Sequence, residues 1–301
     1  MTTVEQIADA ILYEGYILYP YRASALKNGQ RWNFGVLYPP AYASAQRGSD
    51  ASTFQCECLA RGGDLTVTVR FLQLVTRDGW QEAIAREVKT DAPGTHSFRF
   101  PAREDRDENG IVRRQEQIEG MIDVSIRETN NGWSRVSVRI SNTGAFDVPT
   151  VDSAAWPARE AALRRSMVST HAILRVQGGE FASLLDPPEE LRQLSAECSN
   201  VGLWPVLAGN AAPADTMLAS PIILYDYPQI AAQSAGALFD GTEIDEILSL
   251  RILTLTDDEK RQMRETDPQA RQLLERTEAL DPEQWMQLHG VMRDPSGGES
   301  L

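Results

Sequence analysis

Between Tyr13 and Tyr42 the chain concentrates side chains able to hold a ligand or a partner. Six of its eight tyrosines fall there, with Trp32, Phe34 and the cations Arg22, Lys27 and Arg31 among them. Tyr and Trp bury a large apolar body yet keep one polar handle, and Arg adds a planar fork for carboxylates. The chemistry this suggests is binding, with Tyr13, Tyr16, Tyr19, Tyr21, Arg22, Lys27, Arg31, Trp32 and Tyr38 as candidate contacts. Arg31 and Trp32 are expected to face a partner rather than the interior. A second motif, Tyr225-Asp226-Tyr227-Pro228, sets an acid between two phenols, an arrangement suited to a partner's Arg or Lys. The competing reading is structural: tyrosines capping a core, and an edge strand that Pro228 closes.

Residues for covalent or metal chemistry are sparse. His96, His171 and His289 lie far apart with no ligand spacing. Cys56-Glu57-Cys58 turns both sulfurs to one side of a strand, but a structural zinc needs four ligands, and only Cys198 and a distant His are left to complete the set. Two small buried residues are the simpler account of the pair. Neither a Gly-x-Ser-x-Gly elbow nor a Gly-x-Gly-x-x-Gly loop occurs. Asp245-Glu246 and Asp257-Asp258-Glu259 read as solvated faces or caps. The expectation is therefore no catalytic residue, no metal and no cofactor.

The totals narrow the partners. The formal charge is −14 and the pI about 4.7, which opposes binding to nucleic acid or to an anionic membrane surface. From Asp226 onward sixteen acids face seven Lys or Arg, so the last quarter carries most of this excess. No apolar run reaches the ~18–20 residues of a membrane span, and the N-terminus lacks a signal-peptide pattern. Three cysteines give no disulfide framework. The expected location is the cytoplasm.

Periodicity supplies the elements. Thr3 caps a helix with Val4, Ile7, Ala8 and Ile11 on one face. Phe34 to Tyr38 is a short strand. Leu65, Val67, Val69 and Phe71 alternate strongly after a weaker run at 53–59, and Gly62-Gly63 between the two reads as a hairpin turn. Asp78 caps a predicted helix with Trp80, Ile84 and Val88 on one face. His96 to Phe100 is a strand and Pro101 to Arg114 a charged loop. Ile118–Arg127 and Trp133–Ser141 form a hairpin around Asn130-Asn131-Gly132. Asp152 to Met167 is helical and His171 to Val176 a strand. A helix starts after Pro187-Pro188, and Ser220 to Tyr227 is extended. Beyond Thr242 the pattern is helical, with caps at Thr256, Asp267 and Asp281.

The predicted fold is α+β: an N-terminal helix and an antiparallel β-sandwich-like half over 1–145, a mixed then helical half over 146–294, and a disordered tail at 295–301.

Several stretches resemble one family. Ile11 to Arg22, Lys27-Asn28, Arg31-Trp32, Phe34-Gly35 and Tyr38-Pro39 look like the opening of an uncharacterised bacterial family encoded beside actinobacterial-type high-affinity nickel–iron hydrogenases. Leu224 to Pro228 and Gly241 to Leu248 look like its later blocks. The resemblance implies a non-enzymatic accessory or assembly role, with a hydrogenase subunit or maturation intermediate as protein partner; it carries no catalytic motif. A ligand- or sugar-binding module, its cleft lined by Tyr13, Tyr16, Tyr19, Trp32 and Tyr38, and a hydrolase using scattered carboxylates are the alternatives.

Overall fold

Strand β1 (Thr53–Arg77) runs for 25 residues, and most of the sheet hangs on it. The computed structural model describes residues 3–13, 32, 34–46, 48, 50–77, 80–91, 93–106, 110–129, 132–148 and 155–229, and a few between 260 and 279. The chain divides into two units, residues 1–14 with 32–229 and residues 15–31 with 230–301. The first is α+β in the broad sense, mostly antiparallel sheet with few helices.

Its strands are β1, β2 (Trp80–Thr90), β3 (Gly94–Phe100), β4 (Arg103–Arg106), β5 (Val112–Gln115), β6 (Ile118–Glu128), β7 (Ser134–Asn142), β8 (Val168–Phe181), β9 (Trp204–Leu207) and β10 (Thr216–Ser220). They join one ten-stranded sheet whose main path runs β3-β6-β7-β1-β8-β10-β9, with β2 and β5 paired to β1 off that path and β4 paired to β5. The first third of β1 pairs with β7, its middle with β8, and its last part with β2 and β5. Strands on both sides of residue 145, where the sequence suggests a boundary, thus belong to the same sheet.

Gly62-Gly63 is not a hairpin turn. The strand runs straight through it, with Gly62 opposite Gly179 and Asp64 opposite Gln177. Gly62 and Gly63 both have positive φ, +67° and +72°, which shifts the phase of the pleat. Phe54, Cys56 and Cys58 before them and Leu65, Val67, Val69 and Phe71 after them then line the same core. A Cβ on Gly63 would lie 2.5 Å from the Gln177 carbonyl oxygen, so only glycine fits where the two chains cross.

The stretch predicted as a helix from Asp78 is strand β2. Its inward positions include Glu82 and Arg86, polar residues that hide an alternating pattern. Glu82 is 5% exposed and clamped by Arg77 at 3.2 Å and Arg113 at 2.7 Å. Arg86 donates to the fully buried Gln73 and lies over the Phe100 ring. The charged loop predicted over 101–114 contains the hairpin β4–β5, closed by ion pairs such as Arg114–Glu104 at 2.7 Å.

Helix α1 (Val4–Leu12) is capped as expected: the Thr3 hydroxyl accepts from the Gln6 N–H and the Gln6 side chain accepts from the Thr3 N–H. Its apolar stripe packs on Ile173 of β8 and Leu218 of β10. Asp9 ties it to Arg70 of β1, and Glu5 to Arg175 of β8. Short helices α2 (Pro40–Ala45), α3 (Ala155–Leu163) and α4 (Arg192–Ala196) sit in the connections.

In the second unit Lys260 and Arg264 both reach Glu278, at 3.2 and 2.7 Å. The predicted stripe at Ile244–Ile252, the caps at Thr256, Asp267 and Asp281, and the tail lie outside the described residues. None of the described helices is long and apolar enough to cross a membrane.

Candidate functional site

The two aromatic motifs end up in opposite environments. Residues 34–38 run between the segments that lead into β1 and β8: Leu37 exchanges backbone hydrogen bonds with Met167 at 2.8 and 3.1 Å, and the Tyr38 N–H donates to the Ala51 carbonyl at 2.8 Å. Trp32 is 4% exposed and its indole N–H donates to Gln81 at 2.9 Å. Tyr38 is also 4% exposed, its ring 5.0 Å from that of Tyr42. Burial pushes the Tyr38 hydroxyl up to about 12, against the pull of nearby Arg159, so it stays protonated and can only donate or accept hydrogen bonds. Tyr13 ends α1 and is partly buried. Tyr16, Tyr19, Tyr21, Arg22, Lys27 and Arg31 lie outside the described residues.

Around Tyr38 a pocket of about 340 Å³ opens, lined by Gly35, Val36, Tyr38, Asp50, Ala51, Phe54 and Arg159. Arg159 comes from α3 and donates to the Trp32 carbonyl at 3.2 Å. Asp50 precedes β1, and no local motif singles out either residue.

The second motif is exposed but only in part. Tyr225 is 87% and Ile223 72% exposed, and Ile222 stands at 36%. Asp226 does not point to solvent as a lone acceptor. One of its oxygens takes the Leu207 N–H at 2.8 Å and the other the Ser183 hydroxyl. Tyr227 adopts φ +54°, and its N–H donates to the Leu207 carbonyl at 2.7 Å along β9. At the other end the Ser220 hydroxyl donates to the Ile222 carbonyl at 2.6 Å, Pro221 packs against Gly35, and Leu224 packs on the α1 cluster. The loop is thus fastened along its length while Ile223 and Tyr225 project. Trp204, opposite Ser220 across the β9–β10 ladder, and Leu185 expose further apolar surface. Ile222 and Ile223, which no motif singles out in the sequence, stand exposed beside Tyr225.

The cysteines are quiet. Cys56 and Cys58 are fully buried on the core face of β1; burial pushes Cys56 up to about 12 and Cys58 well above the usual thiol range. Cys198, half-buried, rises to about 11 for the same reason. Thiols held protonated are poor nucleophiles. Among the described residues no group of His, Cys, Asp and Glu converges as a metal site.

His171 is wholly buried. Its Nδ1 lies 2.8 Å from the Ser169 carbonyl and so carries the proton, while Nε2 finds no partner among the described residues. Ser169 stands at φ +53°, and its hydroxyl is likewise unpaired.

Comparison with family models, with curated proteins and with solved structures finds no match for this chain.

Proposed function

We propose that this chain is a non-enzymatic accessory or assembly protein of the cytoplasm that docks on a nickel–iron hydrogenase subunit or maturation intermediate. The identity of the partner rests on the resemblance of the opening and Leu224–Pro228 blocks to the hydrogenase-neighbouring family. The observation that carries the docking role is the fastened loop at 221–227, which presents Ile223 and Tyr225 to solvent on a backbone held by Asp226, Tyr227 and Ser220. A contact presented in a fixed conformation loses little freedom on binding, which favours affinity. We read the two arms of the sheet that share β1 as the layers of a sandwich whose role is to hold this loop.

The test is co-purification of the full chain from a host that makes the hydrogenase. Recovery of its large or small subunit is expected, and Ile223→Ser with Tyr225→Ala should abolish recovery while the melting temperature holds. If neither subunit is recovered and a deletion strain keeps normal hydrogenase activity, the proposal fails.

A further inference from the structure

Strand β3 ends the main path of the sheet and pairs with β6 alone. Two bonds further in decide which of its backbone groups are left over. The Asn142 N–H donates to the Ser52 carbonyl at 2.9 Å, and the Thr143 N–H to the Glu119 carbonyl at 3.0 Å. Asn142 thus turns toward β1 and Glu119 toward β7, which leaves Gly120 turned toward β3. In an antiparallel ladder this direction alternates residue by residue. His96, Phe98 and Phe100 therefore bond to β6, opposite Ile122, Gly120 and Ile118. Thr95, Ser97 and Arg99 point their N–H and C=O groups away from the sheet. All three residues are exposed, and among the described residues nothing bonds to those outward groups. Open groups of this kind recruit another strand, and edge strands are ordinarily guarded by a bulge, an inward charge or a cover. The β3–β6 register runs unbroken from Gly94 to Phe100, and Phe98 and Phe100, not charges, face Phe71 in the core. The one charge of β3, Arg99, is drawn back onto Gln117 at 2.9 Å and Glu119 at 3.6 Å.

We infer that β3 pairs antiparallel with β3 of a second copy of this chain, about a two-fold axis through Ser97. The strand is symmetric in the way such a pairing needs. Pro93 and Pro101 stand four residues to either side of Ser97, and neither has an N–H, so pairing ends at both. With Ser97 opposite Ser97, Thr95 of one copy faces Arg99 of the other, and Pro93 falls opposite Pro101. Every outward N–H then meets a carbonyl, with two bonds to each facing pair. A slip of two residues sets Thr95 against Pro101, or Arg99 against Pro93, and strands what remains. Charge favours the same register. Arg99 of one copy enters the row of Thr95 and Asp123 of the other, which are joined at 2.8 Å, and no like charges are opposed along the two strands. On the opposite face the half-buried Phe98 and Phe100 gain cover. The edge uses no residue of the loop at 221–227 and does not depend on the hydrogenase reading.

The experiment is sedimentation of the full chain from ~1 μM to ~500 μM, with amide hydrogen exchange at both ends of that range. One strand pair is a small interface, so monomer is expected at the low end and dimer at the high end. The N–H groups of Thr95, Ser97 and Arg99 should exchange fast in the monomer and slowly in the dimer. Those of His96, Phe98 and Phe100 should be slow in both. Ser97→Pro removes an N–H that β6 does not use, so the fold should hold. It deletes both bonds of the central pair and should weaken the dimer ~10-fold or more. If Ser97→Pro melts well below the parent, Thr95→Arg decides instead: it leaves the backbone whole, sets like charges opposite each other, and should weaken the dimer ~3-fold or more. The inference is overturned if the chain stays monomeric at ~500 μM, if the new protection falls elsewhere than on Thr95, Ser97 and Arg99, or if a folded Ser97→Pro or Thr95→Arg chain dimerises as the parent does.

Discussion

Residues 32–42 and 222–227 are both dense in aromatic and apolar side chains, and the fold treats them oppositely. In the first stretch two buried rings have internal partners for their polar handles: the Trp32 indole meets Gln81, and the Tyr38 hydroxyl meets Arg159. The rings can then go inside without stranding a donor. In the second stretch the internal bonds are made by Asp226, by Ser220 and by backbone groups. They fasten the chain and leave the side chains of Ile223 and Tyr225 outside. Aromatic density by itself therefore does not mark a contact surface. What separates the two stretches is where the hydrogen bonds of the flanking residues go.

The sharpest way to break this contrast is truncation in the buried stretch. Trp32→Ala removes a ring that is 4% exposed and takes the indole donor from the Gln81 side-chain carbonyl, so it should cost ~3–5 kcal/mol, read by urea unfolding. A loss under ~1 kcal/mol would place Trp32 with the exposed group and remove the distinction.

Acid should act next most strongly, through His171. Burial holds its imidazole neutral down to about 4, against an ordinary 6.5, with Arg70 adding to the fall and Asp9 opposing it. The unfolded chain takes up the proton below about 6.5 and the folded chain does not. Stability is therefore full above that pH and lost progressively as the pH falls to about 4, by up to ~3 kcal/mol. Residues 34 and 35 bond directly to Ser169 and Thr170, so amide exchange should show the buried stretch loosening in acid. His171→Gln should flatten that pH dependence; an unchanged acid slope in this variant would assign the effect to other groups.

How much of this was legible in the sequence depends on whether the decisive partner is near in the chain. Thr3 and Gln6 are one turn apart, and the capped helix is where they put it. Asn130-Asn131-Gly132 sits between two alternating runs, and β6 and β7 pair around it. The misread helix at Trp80, Ile84 and Val88 is instructive. A spacing of four fits one face of a helix, and it also falls on even positions of a strand. The residues that would have decided, Glu82 and Arg86, are polar because Arg77, Arg113 and Gln73 receive them from elsewhere. Gly62-Gly63 read as a turn because its reason to be glycine is the crossing with Gly178-Gly179, far along the chain. The same holds for the site: Asp50 and Arg159 carry no local motif, and only the fold brings them to one pocket. Asp226 was seen as a contact since its partners, Leu207 and Ser183, are likewise distant.

Asp226 offers a smaller effect that sharpens the contrast. Asp226→Ala frees the Leu207 N–H and the Ser183 hydroxyl at once, a loss of ~1–3 kcal/mol for hydrogen bonds to a charged acceptor. Partner recovery should fall with it, because the loop that presents Ile223 and Tyr225 is no longer held. Full recovery by this variant would mean the fastening is irrelevant to docking.

The smallest expected effect is the one at Tyr225, and it decides which side of the contrast carries contact. With 87% of the residue exposed, Tyr225→Ala removes a side chain that makes little contact with the fold. Its stability should stay within ~0.5 kcal/mol of the parent, measured by thermal unfolding beside Trp32→Ala under the same conditions. Tyr227, two residues on, is the internal control: it packs against the core, and burial raises its hydroxyl pKa. Tyr227→Ala should therefore destabilise clearly more than Tyr225→Ala. If the two variants melt together, the projection of Tyr225 is not a property of the loop in solution, and the fastened-loop account of docking loses its basis.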